Sequence, residues 1–159
     1  MPLIRQRRIL ERAALELFLV RGQGRQLIFD QAALLGALER GAQAEGFMSP
    51  VKVADHLLHD LPLKPGILRG DSEQGYFFLH LTIQEFLAAS ALARLVNETE
   101  TGWKTVVPVD PKKRNVCDFL DEKAWHAEWN EVLAFVCGQV EDARPLVERL
   151  ADEKEDSFL

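Results

Sequence analysis

Residues 76 to 92 read YFFLHLTIQEFLAASAL, with one histidine, His80, between an aromatic run and the start of an apolar helix. Thr82 and Glu85 have the spacing of a capping box, in which each side chain satisfies the other residue's backbone N–H. Leu81 and Phe86 stand at the two positions of a hydrophobic staple. On this reading His80 lies two residues before the N-cap. Helix N-termini present N–H groups and partial positive charge, and an imidazole adds a further donor. An anion contact is one role for His80; a histidine satisfied inside the core is the other.

Three other groups of residues could do chemistry. His56 and His59, in DHLLHD, stand three apart on a helix with Asp55 and Asp60 beside them, a spacing that offers two imidazoles to a metal. With no further ligand at a fitting spacing, a solvated helix face accounts for them. Arg5 to Arg8 (RQRR) form a basic cluster that opposes the dipole of a helix start. It needs an acidic neighbour or partner, or solvent. The third group is the two cysteines, Cys117 and Cys137, too few and too far apart for a disulfide framework or a zinc site, which favours a reducing cytoplasm. No phosphate loop G-x-x-x-x-G-K-[ST], H-E-x-x-H, C-x-x-C or G-x-S-x-G occurs. No catalytic residue and no metal ligand is assigned, and the chain is not expected to be an enzyme by itself.

The bulk properties agree. The 159 residues are 47% hydrophobic and 28% charged, the balance of a folded globular chain. No apolar run approaches the roughly 18 residues that span a bilayer, and the N-terminus lacks a signal-peptide core. A net charge of −6 disfavours nucleic acid as the main partner.

The elements that position these residues follow from hydrophobic period and turn signals. A first helix is expected over Pro2 to Val20, its stripe formed by Leu10, Ala13, Ala14, Leu17 and Phe18. RGQGR stops it, and Gln26 to Phe29 reads as a short strand. Asp30 caps a second helix with Leu34, Leu35 and Leu38 inward, closed by Gly41 and Gly46. Ser49 and Pro50 start a third, with Ala54, Leu57, Leu58 and Leu61 on one face, ending at Pro62. Two apolar runs around GDSEQG predict a β-hairpin. This order is that of a winged helix with the hairpin as wing, followed by the helix after His80. From Phe86 to Val96 only Ser90 and Arg94 are polar, so that helix must be covered on several sides.

Asn97 to Cys117 reads as a loop. Helix resumes near Leu120, with Trp125, Trp129, Val132, Leu133 and Val136 on one stripe to Gly138. A last helix over Asp142 to Lys154 offers Leu146, Val147 and Leu150, and these two are expected to form an antiparallel hairpin that begins a helical array. This layer is expected to cover the apolar helix. The expected fold is mainly α: a winged-helix domain over 1–96 and a helical domain over 97–159.

The segment from 76 to 93 resembles the F-x-H-x-x-x-Q-E-[FY]-x-A-A signature of NACHT-type STAND NTPases, the family that includes the NOD-like receptors. It matches at Phe78, His80, Gln84, Glu85, Phe86, Ala88 and Ala89. Trp129, Glu131, Val132 and Leu133 resemble the W-x-E-V-L segment of that family's second helical domain. Ile83 departs from the pattern, standing where an aromatic is common. The P-loop and the Mg²⁺-binding acidic residues have no counterpart here. The resemblance implies a regulatory, non-catalytic segment of a larger signalling ATPase, cytoplasmic, with an upstream nucleotide-binding domain and a downstream helical or repeat sensor. It implies ADP or ATP with Mg²⁺ in the parent protein, no cofactor for the segment itself, and oligomerisation on activation. It makes His80 the contact to the ADP phosphate in the closed state. Phe78, Thr82, Gln84, Glu85 and Phe86 become helix-start and packing residues. The alternatives are a winged-helix transcription regulator on DNA and a helical protein-interaction scaffold. Lys52 is the one lysine or arginine in the third helix, and it faces two carboxylates, which makes DNA a poor partner.

Overall fold

A computed structural model describes residues 1–20, 28–63 and 67–156. The chain divides into two compact units, Met1–Ala88 and Ala89–Leu159. The fold is mainly helical with one small antiparallel hairpin.

The first unit begins with α1 (Leu3–Val20), α2 (Gln31–Ala44) and α3 (Pro50–Asp60). The apolar stripe of α1 is buried through Leu10, Ala13, Ala14, Leu17 and Phe18. The segment RGQGR and the start of the expected strand, Gln26 and Leu27, lie outside the described residues. Asp30 caps α2, its carboxylate accepting the Ala33 N–H at 2.7 Å. Leu34 and Leu38 are fully buried, and Leu35 packs on the same core.

The expectation that Gly41 closes α2 does not hold, because the helix runs on to Ala44. A Cβ at Gly41 would stand 3.1 Å from both Cγ2 and the carbonyl oxygen of Ile9. This glycine therefore allows close approach of α1 and α2. Gly46, at φ +81, takes the left-handed turn after the helix.

α3 starts with Pro50 in its first turn and buries Ala54, Leu57 and Leu58. A short 3₁₀ turn, Leu61–Leu63, continues it and packs against the hairpin strand β1 (Leu68–Asp71). β2 (Gly75–Phe78) pairs with β1 in the register Leu68↔Phe78 and Gly70↔Tyr76. Asp71 closes the turn by accepting the N–H groups of Glu73 and Gln74. A Cβ at Gly70, whose φ is +123, would stand 2.0 Å from the Gly75 carbonyl oxygen, so only glycine fits there. Phe29 forms an antiparallel bridge with Tyr76 through both backbone hydrogen bonds, 2.7 and 2.8 Å. Phe29 also meets Phe78 edge-on, ring centroids 6.1 Å apart, a contact that contributes about 1 kcal/mol beyond its buried area.

α4 (Leu81–Asn97) crosses the division between the units, which falls after Ala88. The second unit continues with a 3₁₀ turn at Gly102–Lys104 and with α5 (Val116–Lys123), α6 (Asn130–Gln139) and α7 (Arg144–Asp156).

Three expectations are corrected here. Helix resumes at Val116 rather than near Leu120, because Asn115 caps it, accepting the Asp118 N–H at 2.8 Å. The helix through Trp125 and Trp129 is broken between Lys123 and Ala127, so the two tryptophans share no stripe. Trp129 is buried edge-on against Phe119, whereas Trp125 is 65% exposed. Lastly, α7 packs on α5, not along α6 as a hairpin partner. Arg149 of α7 holds Asp118 at 2.6 Å and Asp121 at 3.1 Å on α5. Leu146 is its fully buried anchor, while Val147 is 53% exposed.

The segment between α4 and α5 is ordered by a buried carboxylate. Asp110, 1% exposed, accepts the backbone N–H groups of Lys112 and Arg114 and the guanidinium of Arg114. Burial alone would raise its pKa, but these hydrogen bonds outweigh it and lower the pKa to about 2. The native value lies below the unfolded one. The stabilisation is therefore fully present above about pH 4 and lost as pH falls through 2. Asp110→Asn should lower stability by about 2 kcal/mol at neutral pH. Unfolding of both proteins followed down the pH scale should show that difference closing toward pH 2. A difference independent of pH would contradict the ionic clasp.

No helix among the described residues is long and apolar enough to cross a membrane.

Candidate functional site

The segment around His80 runs from the end of the hairpin into α4. Tyr76 and Phe78 point inward from β2 and are buried; Phe77, between them, is 36% exposed. The Leu79 N–H still bonds to the Ile67 carbonyl at 2.9 Å, so the hairpin holds the chain up to the residue before His80. The Ile83 N–H then donates to the His80 carbonyl at 3.0 Å, and α4 begins at Leu81.

This start corrects the capping box. Thr82 lies inside the first turn and is exposed, so it does not occupy the N-cap. The staple fails for the same reason. Residues i and i+4 share a helix face, and Thr82 and Phe86 are both on the outer one, with Phe86 39% exposed. Phe86 is therefore only partly covered, unlike its buried neighbours Glu85 and Leu87.

The inner face carries Gln84, Glu85, Leu87 and Ala88, all buried. The Gln84 amide donates to the Ala14 carbonyl of α1 at 3.4 Å, a long bond that fills an otherwise apolar contact. Phe78, Gln84 and Glu85 thus turn inward, and His80 turns outward. The imidazole is exposed and makes no hydrogen bond or ion pair with any described residue. A histidine satisfied in the core, the plainer reading of the sequence, does not describe this side chain.

His56, His59 and Asp55 are exposed on α3. Among the described residues no group of three or more His, Cys, Asp or Glu side chains could hold a metal ion. The basic cluster of α1 finds partners within the fold, although Arg7 stays exposed. Arg5 donates to the Glu45 carbonyl at 2.5 Å with its guanidinium over the Phe47 ring, and Arg7 pairs with buried Glu11 at 2.8 Å. Further along α1, burial lowers the pKa of Arg12, with Arg40 acting in the same direction and Glu16 and Glu45 opposing. Both cysteines are free and half-buried, and burial raises both thiol pKa values, so neither is an activated nucleophile.

Sequence reasoning missed the Asp110–Arg114 clasp. Its signal was present in VDPKKRN, where an aspartate precedes a proline turn and an arginine follows four residues later. Compared with protein-family models, curated proteins and solved structures, the chain matches none.

The inward and outward residues predict opposite responses to truncation. His80→Ala should change unfolding free energy by less than about 0.5 kcal/mol, as for an exposed side chain. Gln84→Ala should cost about 1 to 3 kcal/mol, through a lost hydrogen bond and a cavity beside α1. Denaturant titration of the two variants measures this; equal losses would contradict the assignment.

Proposed function

We propose that this chain is a regulatory, non-catalytic segment of a NACHT-type STAND signalling ATPase, acting in the cytoplasm. In this reading it holds the ADP-bound closed state of its parent protein and is released on nucleotide exchange. The nucleotide and Mg²⁺ belong to an upstream nucleotide-binding domain, and a helical or repeat sensor follows. His80 donates to the ADP phosphate.

The observation that carries the reading is the exposed imidazole of His80, without an intrachain partner among the described residues, at the start of α4. A donor in that position adds to the partial positive charge of the helix N-terminus, which suits a phosphate supplied from outside the segment. The burial of Phe78, Gln84 and Glu85 supports it further, since these neighbours fix the backbone from which His80 projects. A parent protein of this kind carries a G-x-x-x-x-G-K-[ST] loop upstream of this segment.

A hydrogen bond to a charged group contributes roughly 1.5 to 3 kcal/mol, well below the roughly 8 kcal/mol that micromolar affinity needs. Calorimetry on the chain alone should therefore detect no micromolar ADP binding. In the parent protein the same contact exists only in the closed state. His80→Ala should shift the closed–open balance on the order of 10- to 150-fold toward open. The expected readout is less ADP retained through purification and a higher basal signal. Unchanged ADP content with unchanged basal activity would overturn the reading.

The DNA-binding alternative lacks support of this kind. The exposed face of α3 presents Lys52 beside Asp55, His56 and His59, and nonspecific DNA affinity depends on neutralising several phosphates. No mobility shift of duplex DNA is expected at physiological salt. A salt-dependent shift at low micromolar protein would favour the transcription regulator instead.

A further inference from the structure

We draw no further inference here: the strongest candidate, the exposed apolar pair of Ile28 and Phe77 beside the small hairpin of the first unit, carries nothing because nothing in the structure shows what covers it.

Discussion

The rotation of α4 about its own axis decides where each residue from Leu81 to Ala89 points. Burying Gln84, Glu85, Leu87 and Ala88 together fixes that rotation. Turning the helix by one residue, about 100°, so that each side chain takes the place of the next, would carry Glu85 to the exposed position of Phe86 and bury Phe86 where Leu87 now lies. Gln84 adds direction to the apolar contact, because its amide reaches one carbonyl, that of Ala14 on α1. The hairpin fixes the other end through the Leu79–Ile67 bond. Between these two constraints His80 projects outward by consequence and needs no contact of its own to hold it there.

The second unit rests on a different kind of constraint. Asp110 replaces its lost hydration with two backbone N–H groups and one guanidinium, which turns a proline-bearing loop into a fixed lead-in to α5. Phe119 and Trp129 then meet edge-on across the break between α5 and α6. The linker after α6 is tied down by polar contacts. Asn97 at the end of α4 donates to the Gln139 carbonyl and accepts the Glu141 N–H, and the Trp103 indole donates to the Asp142 carbonyl. These contacts set where α7 starts, and Arg149 sets which helix it packs against.

The parts of this fold legible in the sequence are those that local chemistry decides. The stripe of α1, the Asp30 cap, Pro50 at the start of α3 and the turn residues of the hairpin each act within a few residues of themselves. What was not legible depends on distant partners. Gly41 reads as a helix stop until Ile9 of α1 is seen against it. Trp125 falls on the period of the following helix, yet the chain turns at Ala124 and leaves it in solvent. The capping box at Thr82 is a sound local pattern that burial of Gln84 and Glu85 overrides. For the candidate site, sequence alone left His80 divided between core and surface, and the phase of α4 decides that in favour of the surface.

A surface histidine between a hairpin and a helix is inexpensive to the fold, so its substitution tests binding apart from stability. We propose that a bound nucleotide phosphate engages the His80 imidazole in a parent protein. The most direct measurement is acylation of histidines by diethylpyrocarbonate, read residue by residue by mass spectrometry, with and without ADP. His80 should react in the isolated chain as readily as His56 and His59, all three being exposed. In the ADP-loaded parent protein His80 alone of the three should be protected, and removal of the nucleotide should restore its reactivity. Equal labelling of His80 with and without ADP would contradict the claim.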